Sequence, residues 1–195
     1  MKQSFAILFL LLFCLCYSQS SFAQLNKNVW MVGGDFSYNS GTTNRPNQNS
    51  TTTTTDLQFS PAIGYFIDSR LPIGVRTILQ VGRFHYKDNS GTMGYGKSNY
   101  FSIGPFVRYY FLKKSDQIFN FFAEANYLIG NAQPDIGTAR YTFSRYSLMV
   151  GPTIFFNSSV GLELSLGYYH QKPNNDAATS GLQTKIGFQV YLENK

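Results

Sequence analysis

From Val29 onward, apolar and polar residues alternate with a period of two through eight separate runs. That period puts successive side chains on opposite faces of a β-strand, so each run predicts a strand with one apolar and one polar face. The seventh run is the clearest, with Val160, Leu162, Leu164, Leu166 and Tyr168 on one face and Gly161, Glu163, Ser165 and Gly167 on the other. The first (29–38) sets Trp30, Val32, Phe36 and Tyr38 against Asp35 and Ser37. The second (57–67) sets Leu57, Phe59, Ile63, Tyr65 and Ile67 against Gln58, Ser60 and Gly64. In the third (73–85), Ile73, Val75, Leu79 and Val81 oppose Gly74, Arg76, Gln80 and Gly82. Its parity slips over 83–86, which predicts a bulge. The other four runs follow the same rule and carry Arg108, Glu124, Arg145 and Lys185 on their polar faces.

The connections alternate as well. Segments 39–56, 87–99, 131–142 and 171–180 are long and rich in Asn, Ser, Thr, Gly and Asp, and segments 68–72, 113–117 and 157–159 are short. Each run has about the 9–11 residues that a tilted strand needs to cross a bilayer. Long loops at one end and tight turns at the other are the arrangement of outer-membrane barrels, with both termini on the short-turn, periplasmic side. The expected fold is all-β, an eight-stranded antiparallel up-and-down transmembrane β-barrel.

Alternation alone does not say which face is outside. Composition does. Charged residues make up 13% of the chain and aromatics 17%, whereas a soluble surface carries about 25–35% charged residues. The polar faces are mostly Gly, Ser, Asn and Gln, small enough for an eight-stranded interior that side chains just fill. Their few charges come in both signs. Asp35, Glu124 and Glu163 are expected to meet Arg76, Arg108, Arg145 and Lys185 in the lumen, because buried charges persist when paired. Trp30, Tyr38, Tyr65, Tyr109, Tyr127, Tyr146 and Tyr168 gather at strand ends on the apolar face, where aromatic girdles meet the water–lipid boundaries. The apolar face therefore points to lipid.

The amino terminus adds an export route. Lys2 precedes an apolar run over 5–13, and Ser21-Phe22-Ala23 offers small residues before Gln24. The run is too short to span a bilayer as a helix and reads as a cleaved signal peptide over 1–23, leaving a barrel domain over 24–195. Cys14 and Cys16 both lie in that segment. Phe13 and Leu15 precede them, which disfavours lipidation, and the mature barrel is expected to hold no thiol, disulfide or thiolate metal site.

Ile103-Gly104-Pro105-Phe106-Val107-Arg108-Tyr109-Tyr110-Phe111, followed by Phe121-Phe122-Ala123-Glu124-Ala125, resembles the small outer-membrane β-barrel proteins of Bacteroidetes-type bacteria. Ser60-Pro61-Ala62-Ile63-Gly64-Tyr65-Phe66 and Val150-Gly151-Pro152 are similar in strand style. The likeness covers the whole mature chain and extends to OmpA/OmpX-type barrels. It implies a Gram-negative outer membrane and insertion by the outer-membrane assembly machinery, with Phe188 and Tyr191 in the last strand as the aromatics that machinery favours.

Function is less legible. A structural or surface-interaction barrel acting through its outer loops is the leading expectation, with outer-membrane lipid and lipopolysaccharide as partners. Lys87, Lys97, Arg140 and Lys172 are candidate contacts for lipopolysaccharide phosphates. A small anion-leaning diffusion channel is the alternative, resting on the excess of lumen cations. A lipid hydrolase needs a nucleophile, a base and an orienting group together. His85 and His170 fall near the outer rim, His170 on the lipid-facing parity and Ser165 and Glu163 inward, so no triad is readable. No phosphate-binding glycine loop or calcium-loop spacing is present, and the net charge of +6 is scattered without the basic stripe that nucleic acid requires. No cofactor is expected.

Overall fold

In the computed structural model the described residues are 27–45, 50–87, 93–112, 118–134, 140–174 and 178–193. The proposed signal peptide lies outside them. Eight strands, β1 (Val29–Arg45), β2 (Ser50–Asp68), β3 (Leu71–Lys87), β4 (Met93–Tyr110), β5 (Phe119–Pro134), β6 (Tyr141–Phe155), β7 (Val160–Pro173) and β8 (Thr179–Glu193), form a closed barrel in chain order. Every neighbouring pair is antiparallel, including β1 with β8. Closure removes sheet edges, which lets a sheet sit in hydrocarbon with its backbone groups bonded.

The faces segregate as the alternation requires. Phe36, Ile63, Val75, Ile103, Val107, Val150, Leu166 and Phe188 are exposed on the outside, while Ser60, Arg76, Ser102, Arg108, Thr153 and Gln189 are almost fully buried within. Asn28, at φ 70, starts the first strand in the left-handed region that Asn tolerates. Its side chain accepts a hydrogen bond from Tyr65 at 3.0 Å, and Tyr65 packs on Trp30 at the periplasmic girdle, ring centroids 5.0 Å apart. The turn between β6 and β7 is set by Asn157, whose Oδ1 accepts from the amides of Ser159 and Val160 at 2.8 Å. This is the local bonding by which Asn favours turns.

Three expectations are corrected. First, the strands run 14–19 residues, well past the membrane belt. Much of segment 39–56 is a hairpin paired as far as Arg45↔Ser50, and β4 begins inside segment 87–99. Thr51 to Thr55 are β-branched and suit an extended pleated backbone. Above the membrane, though, both faces meet water and no apolar alternation marks the strand. Second, no bulge occurs at 83–86, where the β3 register continues unbroken to Lys87 on both sides. Arg83 and His85 keep the outward parity of Val81 but stand above the lipid. The register shift falls instead at Phe66/Asp68.

Third, the lumen is not filled mainly by small residues. Its periplasmic half is an apolar core of Met31, Phe66, Phe106, Tyr110, Phe122, Phe155 and Tyr191. Tyr191 therefore points into the lumen rather than to lipid, because it has the parity of Gln189 and not of Phe188. Glycine makes room for this core: a Cβ on Gly64 would lie 2.9 Å from the Phe106 ring, tighter than packing allows.

Candidate functional site: a charged plug and an open mouth

Above the aromatic floor, strands from around the barrel bring charged side chains to one level. Glu124 on β5 is the hub. Its Oε2 accepts from Arg76 Nη2 at 3.0 Å and from Arg108 Nε and Nη2 at 3.0 and 2.8 Å. Arg76 also contacts Asp35, whose other oxygen lies 3.1 Å from Lys185 Nζ. Arg108 Nη1 donates to Glu163 at 2.6 Å and to the Tyr110 hydroxyl at 2.9 Å. Glu163 is completed by Thr153 at 3.2 Å and Gln189 at 3.1 Å. Tyr110 and Tyr191 share a hydrogen bond of 2.8 Å, which ties the plug to the floor. The Phe122 ring lies 4.2 Å under the Arg108 guanidinium, a desolvated cation–π contact.

Six of the seven predicted lumen residues are thus brought together as three carboxylates with three cations. Arg145 is not among them. It is buried on the lumen side of β6, but it donates to Gln183 at 2.8 Å and lies 4.4 Å over the Tyr169 ring instead of meeting a carboxylate. Its Nε is buried without a hydrogen-bond partner. Sequence reasoning missed Tyr110, Tyr191 and Gln189 as members of the plug network.

Between the plug and the outer rim lies a mouth cavity of about 600 Å³, lined by Asp56, Gln58, Tyr100, Arg145, Tyr169 and Gln183 among others. Within the plug the remaining space is about 10 Å³, room for no more than a single water.

On the outside, Lys87, Lys97, Arg140 and Lys172 are exposed toward the outer end, with Arg140 bound to Gln133 at 2.8 Å. Lys97 is the Cα partner of Arg83, an exposed cation within the segment where a bulge is expected. His85 packs edge-on against Tyr95. His170 stacks on Tyr146 and its Nδ1 lies 2.7 Å from Ser180 Oγ, a pairing invisible before β7 and β8 were in register. Among the described residues no carboxylate bonds to His170. Ser165 faces the plug beside Lys185, far from that pair in parity.

A closed, eight-stranded barrel with an apolar outside and a charged, packed lumen is the build of a small integral outer-membrane protein. A family model described as outer membrane protein beta-barrel domain matches residues 7–191, and the chain belongs to that family, which resides in the Gram-negative outer membrane. Among solved structures it is similar to the outer membrane protein OprG from Pseudomonas aeruginosa. That match has a TM-score of 0.57 and 9% identity, and covers 90% of this chain and 99% of that one. Neisserial surface protein A matches at a TM-score of 0.49 and 16% identity, covering 83% of this chain and 96% of that one. The N-terminal barrel domain of Pseudomonas aeruginosa OprF matches at 0.46 and 14%, covering 85% and 98%. At these identities the OprG likeness carries the fold alone. No curated protein sequence matches the chain.

Proposed function

We propose that this protein is a non-conducting, non-enzymatic envelope barrel that acts from its outer rim, where exposed cations engage the phosphates of lipopolysaccharide. The observation that carries the first part is the plug. Three carboxylates and three cations interlock across the lumen and leave about 10 Å³ between them, too little for a hydrated ion. Eight strands in any case make an interior that side chains fill. Planar-bilayer recordings of the refolded protein are expected to give no stable conductance. A steady anion-selective current would overturn this reading in favour of a channel.

The second part rests on Arg83 and Lys97, which stand opposite each other on β3 and β4 with both side chains exposed. Like charges in that position repel unless an anion lies between them, and a phosphate accepts from both an Arg fork and a Lys point charge. Lys87, Arg140 and Lys172 extend the positive rim. Neutralising all five to Gln is expected to weaken lipopolysaccharide binding and flatten its salt dependence. Equal binding before and after would remove the lipopolysaccharide contact from the reading.

A further inference from the structure

The closing seam of the barrel is only half zipped. β1 pairs with β8 from Val29↔Glu193 to Phe36↔Ile186, whereas β1 pairs with β2 as far as Arg45 and β8 pairs with β7 as far as Thr179. Among the described residues, Ser37–Gly41 on one side and Thr179–Lys185 on the other have no partner across the seam. Unpaired backbone is costly in hydrocarbon, and this gap begins at the level of Tyr38 and Tyr168, where headgroups and water can bond it.

The gap has a definite height and a definite interior. Leu182 is paired with Tyr168 at the outer girdle and has the outward parity of Ile186 and Phe188. It nevertheless lines the mouth cavity, as do Asn39, Ser40 and Gly41 from the facing strand. With 74% exposure it is the most exposed large apolar strand residue among those described. The cavity thus reaches the barrel wall at the open seam, with Leu182 on one side and Asn39, Ser40 and Gly41 on the other. Arg145 also lines it, its guanidinium having Gln183 as hydrogen-bond acceptor, Tyr169 against its face and a buried Nε–H without a hydrogen-bond partner. The cavity's own carboxylate, Asp56 on β2, is engaged by Gln80.

From this geometry we infer that the mouth cavity is a binding site for a single-chain acidic amphiphile. Its carboxylate or phosphate sits on Arg145, and its acyl chain leaves through the β1–β8 gap into the outer leaflet. Arg145 supplies the charge-assisted, fork-like recognition that such a head takes. The polar cavity walls and free strand edges solvate the head, while Leu182 lies beside the first part of the tail. A soluble anion would use Arg145 alone, whereas the amphiphile uses Arg145 and the gap together.

The test uses the refolded barrel in zwitterionic nanodiscs, with palmitate bearing a photoreactive diazirine and, separately, a water-soluble diazirine benzoate. Palmitate labelling is expected to concentrate on 38–41 and 182–184. It should fall about tenfold in Arg145→Gln, the loss that goes with one charge-assisted hydrogen bond, and return in part in Arg145→Lys. Bridging Ser40→Cys to Leu182→Cys with a bifunctional thiol reagent, in otherwise native and folded protein, should abolish palmitate labelling and leave benzoate labelling of the cavity intact. The heat-modified gel shift certifies that each variant is folded. Palmitate labelling that ignores Arg145, or that survives the bridge, would overturn the inference as mere annular lipid. Labelling by benzoate and not palmitate would replace the amphiphile by a soluble anion.

Discussion

The two halves of the lumen are built from the same eight strands and behave as opposites. In the periplasmic half the β1–β8 seam is zipped, the charges balance as three carboxylates against three cations, and aromatic rings close the floor. In the outer half that seam is open, and among the described residues the buried Arg145 has no acidic partner. The difference teaches where a small barrel places stability and where it leaves room for a ligand. Buried ions are tolerated when each is bonded on every side, and an incompletely bonded one is costly unless something else satisfies it. The lower half meets that condition nearly throughout, each of its cations facing a carboxylate while Arg76 Nε stays without a hydrogen-bond partner. In the upper half Arg145 relies on Gln183 and the Tyr169 ring.

Glu124→Leu should break the lower half most severely. Glu124 alone joins Arg76 to Arg108, so its loss leaves two buried guanidiniums short of an acceptor, at a cost of order 3–5 kcal/mol. The urea midpoint of the refolded barrel should fall and its heat-modified gel shift should appear at lower temperature. An unchanged midpoint would mean that the plug does not hold the barrel together. A smaller effect is expected from Tyr110→Phe, which keeps the ring in the floor. It removes an acceptor from Arg108, a donor from Glu163 and the partner of the Tyr191 hydroxyl. The loss should be about 1–3 kcal/mol by the same denaturation measurement, the usual penalty for stranding buried polar groups. A neutral result would show that floor and plug are energetically separate.

How much of this contrast was legible in the residues depends on which solvents meet the two faces of a strand. Where lipid lies outside and a polar lumen inside, period two is unmistakable, as in β7, and the fold follows. The signal vanishes in two places for opposite reasons. In Thr51 to Thr55 both faces meet water, so a paired strand looks like a loop. At Tyr65-Phe66, Tyr109-Tyr110 and Phe121-Phe122 both faces are apolar, one ring to lipid and the next to the lumen floor. Doubled aromatics at the periplasmic strand ends were the available sign of that core. The lumen charges could be named from parity alone. That Arg145 would be the cation left over could not, because partners depend on eight registers acting together, and the half-open seam exists only in the last of them.

The mildest substitution sharpens the comparison most. Arg145→Met keeps much of the side-chain length over Tyr169 and removes the charge. It gives up the 2.8 Å bond to Gln183 and the cation–π contact, each worth on the order of 1 kcal/mol. It also removes the desolvation cost of a cation that no carboxylate offsets, and apolar replacements of comparable volume at buried ionic positions are often neutral or stabilising. The two contributions oppose, so the denaturation midpoint of the empty barrel should move by less than about 1 kcal/mol. Arg108→Met, the matching change one level below, strands Glu124 and Glu163 together and should fall with Glu124→Leu in severity. If Arg145→Met proved as damaging as Arg108→Met, the mouth would be as tightly integrated as the plug, and the contrast between the two halves would fail.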